Sequence, residues 1–315
     1  MEYRKLGNSG LQVSAVGLGT NNFGGRMEAE PAARVVEEAI DLGINFIDTA
    51  DIYSKHLSEE YIGRAVKGKR QQVLIATKLG GGMGDGPNEK GASRQHIMRA
   101  VEESLHSLNT DYIDLYQIHF PDPTTPIEET LRALTDLVCQ GKVRYIGCSN
   151  YQAWQAAEAI WTSRTQHLES FASVQPHYNL LTRDVEKELI PFCNQYNMGI
   201  LPYFPLAAGF LTGKYRRGQN PPDGTRMAGG GGRLTSRWLT DANFDMLDRL
   251  ENFAAERGHP MVELAISWLL AKPQVSSVIA GATTPGQLQA NAKAVEWHLT
   301  SEDTEEIDRI MEGAK

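Results

Sequence analysis

Four residues of different chemistry stand at matching places along the chain. Asp48, Lys78 and His119 each end a short run of β-branched and apolar residues, and Tyr53 follows Asp48 by five positions. A phenol with an intrinsic pKa of about 10 is a poor acid near neutrality. A lysine ammonium beside it favours the phenolate and lowers that pKa. Asp48 would hold Lys78 charged and oriented, and His119 would donate to a carbonyl oxygen. Together they read as a proton donor with its tuning partners, a general acid–base set. Taken singly each signal is weak, because a strand-end Asp is more often a turn or cap residue and a lone His or Lys is usually structural. Their coincidence at neighbouring strand ends carries the argument.

Those strand ends belong to a series. Runs of strand type close at Gly19, Asp48, Lys78, His119, Ser149, Gln175, Tyr203 and Gly281, alternating with segments of helical period. Most intervals are close to the roughly 30 residues of one βα unit, and eight such units close a (β/α)8 barrel, whose active sites form at the C-terminal strand ends. An α/β barrel of this kind, one domain over residues 1–315 with an N-terminal hairpin, is the expected fold. A dinucleotide-binding doubly wound sheet needs GxGxxG after its first strand, and Gly17-Leu18-Gly19 is followed by Asn22 where the third glycine belongs. Helix signals agree with the barrel. Pro31 suits the first turn of a helix ended by Gly43, and Thr125-Pro126-Ile127-Glu128 reads as a capping box with proline at the first helical position, for a helix ended by Gly141. The last interval, 78 residues, exceeds a unit by about 48. The excess lies around residues 209–244 and contains the glycine run 229–232, so a lid over the barrel mouth is expected there.

Composition excludes other classes. The chain has 315 residues, 41% hydrophobic and 22% charged, with 31 Lys+Arg against 39 Asp+Glu and a formal net charge of −8. No apolar run approaches a membrane span, and no basic cluster offers the footprint of a nucleic-acid site. Cys139, Cys148 and Cys193 form neither a CxxC pair nor a disulfide framework. The N-terminal ten residues lack an apolar signal core. A cytoplasmic protein without zinc-ligand spacing is expected.

The segments Asn45-Phe-Ile-Asp-Thr-Ala-Asp-Ile-Tyr53, Ala-Thr-Lys78, Tyr112-Ile-Asp-Leu-Tyr-Gln-Ile-His119, Gly141-Lys-Val-Arg-Tyr-Ile-Gly-Cys-Ser-Asn150 and Tyr203-Phe-Pro-Leu-Ala-Ala-Gly-Phe-Leu-Thr-Gly-Lys-Tyr215 together resemble the aldo-keto reductase family. The resemblance runs from the opening hairpin to Asn291 and is similar in layout to the branch of bacterial reductases and potassium-channel beta subunits. It implies an NAD(P)(H)-dependent oxidoreductase that interconverts aldehydes or ketones and alcohols, with Tyr53 as general acid and Asp48, Lys78 and His119 completing the tetrad. It also implies that Ser149, Asn150 and Gln175 bond the nicotinamide carboxamide and that Tyr203 stacks on the ring. Gly19, Thr20, Asp48, Phe204, Pro205, Leu206 and Gly209 would line the same cleft. Lys214 and Arg226 resemble the family's pyrophosphate and adenosine-side contacts, as do Gly281, Thr283, Gln287 and Asn291 beside the last barrel helix, whose N-terminus suits an anion.

Departures from the family pattern bear on the cofactor. The stretch Gly281-Ala-Thr-Thr-Pro-Gly-Gln-Leu288 lacks the Lys and Arg that grip a 2′-phosphate in many members, and Ala290 stands where a Glu often contacts adenine. NADP(H) is expected from family habit, with NAD(H) open. Phe204 replaces a common serine. Two other classes of function compete: a cofactor-sensing regulatory module with little turnover, which would tolerate loss of His119, and a Schiff-base aldolase using Lys78. The aldolase needs a lowered lysine pKa, which an Asp48 neighbour opposes. Phe23, His56, Phe120 and Tyr151, following strands one, two, four and five, are the expected substrate-pocket wall, and residues 299–315 read as one short acidic helix leaving the mouth open.

Overall fold

The computed structural model describes residues 1–228 and 232–312. Strands β1 (Tyr3–Lys5) and β2 (Gln12–Ser14) pair antiparallel. Their hairpin closes the N-terminal end of the barrel: Leu6 and Val13 are fully buried in one cluster with Phe46, Ala76, Leu115, Leu201 and Ile279. Gly7 makes this approach possible. Its φ is +54°, and a Cβ there would lie 2.4 Å from the Ala172 carbonyl oxygen.

The remaining strands are β3 (Val16–Gly19), β4 (Phe46–Asp48), β5 (Leu74–Leu79), β6 (Ile113–Ile118), β7 (Val143–Ser149), β8 (Ser173–Gln175), β9 (Gly199–Ile200) and β10 (Val278–Gly281). All pair parallel in the order β10-β3-β4-β5-β6-β7-β8-β9. Parallel bridges Ile200↔Val275 and Tyr203↔Ile279 join the two edges and close the ring. The connecting helices are α1 (Ala29–Asp41), α2 (Leu57–Ala65), α3 (Arg94–Leu108), α4 (Ile127–Cys139), α5 (Ala153–Gln166), α6 (Leu189–Tyr196), α7 (Arg233–Trp238), α8 (Asp241–Glu256), α9 (Met261–Leu270) and α10 (Pro285–Lys293), with α11 (Ser301–Glu312) after the barrel. This is a (β/α)8 barrel. Strands β5 and β6 are buried almost throughout, as strands covered on both faces must be. Helix α1 turns Ala32, Val35, Val36 and Ala39 inward at helical spacing. Register places Gly19 beside Asp48 and Ser149 beside Gln175, so these strand ends are level at the mouth.

Three local expectations are corrected. β9 ends at Ile200, not Tyr203, because Pro202 has no N–H to continue the ladder; Tyr203 still donates to the Pro176 carbonyl oxygen at 3.0 Å. The capping box at Thr125 does not form. Pro126 itself is the N-cap residue of α4, and the Thr125 hydroxyl is drawn to Asp122 Oδ2 at 2.7 Å, a carboxylate being the stronger acceptor. The long excess after β9 is not one irregular lid, since it holds a 3-10 turn at Ala207–Thr212 and the helices α7 and α8. Gly229, Gly230 and Gly231 of the glycine run lie outside the described residues, as do the last three residues of the acidic C-terminal segment. Among the described residues no helix is long and apolar enough to cross a membrane.

Candidate active site

Strand β4 delivers Asp48 and β5 delivers Lys78 to one buried point. Lys78 Nζ donates to Asp48 Oδ2 at 2.6 Å, to the Thr49 carbonyl oxygen at 2.7 Å and to the Tyr53 hydroxyl at 3.4 Å. Gln175 Nε2 donates to Asp48 Oδ1 at 2.7 Å, and Gln117 Nε2 adds a longer bond of 3.4 Å. Lys78 is fully buried. Burial works against its charge, but Asp48 and Tyr53 outweigh that cost and hold its pKa above the ordinary lysine value. An ammonium so held opposes imine formation, which needs a lowered lysine pKa, and so weighs against the aldolase alternative.

The electrostatics of Tyr53 differ from the expectation of a lowered phenol. Burial raises its pKa, and the opposing pull of Lys78 does not overcome it, so the group rests as the protonated phenol. His119 lies edge-on to Tyr53 with ring centroids 5.9 Å apart. Burial, and then the Lys78 charge, push its pKa down to about 3, so the imidazole is neutral at physiological pH. A neutral ring carries one N–H donor.

Above these residues opens a cavity of about 790 Å³ lined by Asp48, Tyr53 and His119. Lys78 lies behind the wall. Every residue expected to contact a cofactor reaches this lining: Gly19 and Thr20 at the end of β3, Ser149 and Asn150 at the end of β7, Gln175 of β8, Tyr203, Phe204, Pro205, Leu206, Gly209, Lys214 and Arg226 before α7, and Gly281, Thr283, Gln287 and Asn291 around α10. Local bonds orient several of them. Tyr203 donates to Asn150 Oδ1 at 2.8 Å, and Asn150 Nδ2 donates to the His119 carbonyl oxygen at 2.9 Å. His177 stacks behind Tyr203 with centroids 5.2 Å apart. Gly209, with φ +92°, leaves room for Lys214, whose Nζ would lie 2.7 Å from a Cβ there.

Cations collect at the far end of the cavity. Arg226 Nη2 donates to Asn21 Oδ1 and Asn22 Oδ1, each at 2.7 Å, and its guanidinium lies over the Phe204 ring, 5.4 Å from the centroid. Phe204, the departure from serine, thus packs at the cationic end. Arg26 Nη2 donates to the Gly224 carbonyl oxygen at 2.7 Å. Burial and then the neighbouring cations depress the pKa of both Lys214 and Arg226. Asp223 also lines this end, yet positive charge dominates, and such a set favours a multiply charged anion. At α10 the Thr284 side chain caps the helix by accepting from Gln287 N, while Gln287 Oε1 accepts from Thr283 N at 2.9 Å.

Of the expected substrate wall only Phe120 reaches the cavity, stacked on His119 at 4.4 Å. Phe23 is fully buried in the main core. Tyr151 packs edge-on against Phe171, and His56 turns away to Glu59 at 2.5 Å. Loop position did not determine the direction of these three side chains. Asn21, Asn22 and Arg26 are among the lining residues that sequence reasoning missed; a polar cluster directly after strand β3 was the available signal.

The sequence pattern of the Aldo/keto reductase family matches residues 15–312. A probable voltage-gated potassium channel subunit beta of Oryza sativa subsp. japonica is 37% identical, with 99% of this chain and 97% of that protein covered. Aldo-keto reductase YhdN of Bacillus subtilis (strain 168) is 35% identical, covering 99% of this chain and 94% of its own. L-glyceraldehyde 3-phosphate reductase of Escherichia coli (strain K12) is 36% identical, covering 94% and 88%.

Proposed function

The chain belongs to the aldo/keto reductase family, and from that premise we propose that it is an NADP(H)-preferring carbonyl reductase, interconverting aldehydes or ketones and alcohols with Tyr53 as general acid and base. The observation that carries the reading is the contact of Lys78 Nζ with Asp48 at 2.6 Å and with the Tyr53 hydroxyl at 3.4 Å, beneath a cavity large enough for a cofactor. When bound, the nicotinamide supplies hydride chemistry. The chain's own residues do the rest. Ser149, Asn150 and Gln175 hold the carboxamide, Tyr203 offers an aromatic face to the ring, and Lys214, Arg226 and Arg26 meet the phosphates. Tyr53 keeps its proton until a carbonyl oxygen takes it, and Lys78 stabilises the phenolate left behind. Neutral His119 orients that oxygen by hydrogen bonding.

The substrate is a small carbonyl or alcohol compound admitted past Phe120, with neither nucleic acid nor membrane as partner, and the whole of residues 1–315 acts as one cytoplasmic barrel unit. Fluorescence titration with NADPH and NADH, followed by a panel of aldehydes, ketones and alcohols, tests the reading. Absence of both binding and turnover would remove it. Similarity to channel beta subunits favours a second reading, a cofactor-sensing regulatory module. Tight cofactor binding without turnover, unaffected by His119→Ala, would select it.

A further inference from the structure

The turn that leads out of Tyr53 is unusual. Ser54, Lys55 and His56 have φ of +51°, +53° and +67°, three consecutive non-glycine residues in the left-handed region. Such an arrangement persists only where the surroundings over-determine it. Here backbone bonds together with the buried Glu59 carboxylate do so. His56 N donates to the Asp51 carbonyl oxygen at 2.7 Å, and His56 Nδ1 meets Glu59 Oε2 at 2.5 Å. Glu59 Oε1 accepts from Thr77 at 2.6 Å. Asp51 N donates to the Lys78 carbonyl oxygen at 3.1 Å, tying the same turn to the strand that carries the lysine.

Asp51 and Glu59 are both fully buried, but their partners are unequal. Glu59 has donors on both oxygens, whereas Asp51 Oδ1 accepts only from Ile52 N at 2.6 Å and Oδ2 has no partner among the described residues. An ionised oxygen left so is costly, and a protonated carboxyl is not. The groups facing Asp51 are Glu59 from α2, His56 from the turn and Lys78 from β5. The buried Tyr116 hydroxyl of β6, itself without a partner among the described residues, feels Asp51, Glu59 and Glu103 of α3.

We propose that Asp51, His56 and Glu59 are positioning residues for Tyr53, holding the left-handed turn that sets the phenol beside Lys78, and that this hold loosens when Asp51 ionises. The proposal rests on the reading of Tyr53 as the proton donor. Burial first, and then Glu59, push the Asp51 carboxyl up to about 7. For His56, burial opposes the charge, but Glu59, Asp51 and Glu103 outweigh it and raise its pKa. As pH rises through about 7, a second buried negative charge therefore appears beside Glu59. Burial holds the Tyr53 phenol above its ordinary value, so a limb near neutrality is not its own ionisation.

The test places 4-fluorophenylalanine at position 53, a ring reporter that cannot ionise, and follows its fluorine resonance across pH. The resonance should move with a midpoint near 7, lose that movement in Asp51→Asn, and shift its midpoint downward in Glu59→Gln, which removes the like charge. No movement in the parent, or the same movement in both variants, would overturn the proposal. In the unlabelled enzyme kcat should fall about tenfold from about pH 6 to about pH 9, within the cost of a displacement below an ångström. Asp51→Asn should flatten that limb and leave the cofactor Kd unchanged. Should every variant lack turnover while the fluorine titration persists, the reductase reading fails and the positioning of residue 53 stands.

Discussion

At the floor of the cavity, Asp48 is held by Lys78 and Gln175 from two other strands, all three essentially sealed from solvent. At the opposite end, Arg26, Lys214 and Arg226 sit on loops, at least partly exposed; Arg26 is held by one bond to Gly224 and Arg226 by one each to Asn21 and Asn22. The two ends answer different needs. A proton moves only between atoms held to tenths of an ångström, which strand ends provide. A large anion needs charge and a way in, and loops that can open provide those. The cost of removing one partner differs accordingly. A broken buried ion pair costs about 3–5 kcal/mol, and a typical single hydrogen bond about 0.5–1.5 kcal/mol.

The largest effect is expected at the floor. Tyr53→Phe removes the proton donor and nothing else of comparable size, so turnover should fall by about 10² to 10⁴-fold or more while cofactor affinity stays intact. Near wild-type turnover would take Tyr53 out of the mechanism and with it the distinction between the two ends. Next comes stability. Lys78→Met leaves Asp48 buried with amide donors but no cation, and urea denaturation should register a loss of about 3–5 kcal/mol. Arg226→Ala, measured the same way, removes two hydrogen bonds to neutral amides and should lose only about 1–2 kcal/mol. Equal losses would show that the cationic end is as much a part of the frame as the tetrad.

The same contrast governs how much was legible in the sequence. Asp48, Lys78 and His119 could be placed because each closes a strand run, and strand ends in a barrel share one level. Their protonation could not. The Tyr53 phenol stands above its ordinary value because burial outweighs Lys78, and burial is a property of the closed barrel. Side-chain direction in loops was equally hidden: Phe23, His56 and Tyr151 follow strands, yet nothing periodic fixes which way a loop residue turns. Arg26 escaped notice because its partner, Gly224, is 198 residues away in the chain. Pro202 was visible and still underweighted as the reason β9 stops early.

A smaller effect, read as a ratio, tests the charge at the loop end. On the proposed reading Arg226 would be the cation to meet a 2′-phosphate, since the Gly281 and Gln287 positions offer none. Charge-assisted bonds to phosphate are the strong ones, and each 1.4 kcal/mol is tenfold in affinity. The wild type should therefore prefer NADPH over NADH by about tenfold to a hundredfold, and Arg226→Ala should remove most of that preference. Equal affinities in the wild type, or an unchanged ratio in the mutant, would assign the preference elsewhere.

The smallest effect concerns motion. Arg26 bonded to Gly224, and Arg226 bonded to Asn21 and Asn22, draw the segment after the 3-10 turn across the cavity toward the loop after β3. Each clasp is only a bond or two, one to a backbone carbonyl and the others to amide side chains, so it should open often enough to admit a dinucleotide, and bound phosphates should then add bonds to the same cations. Trypsin reads this directly, because it cleaves after Arg216, Arg217 and Arg226. By linkage, a ligand at 100 times its Kd stabilises the closed state by about 2.7 kcal/mol, so cleavage at Arg226 should slow by up to about a hundredfold with saturating NADPH if opening limits it. Cleavage after Arg216 and Arg217, whose partners Glu251 and Asp245 belong to α8 and not to the cavity, should slow much less. Equal rates at all three sites with and without cofactor would mean that the loop end is as fixed as the floor.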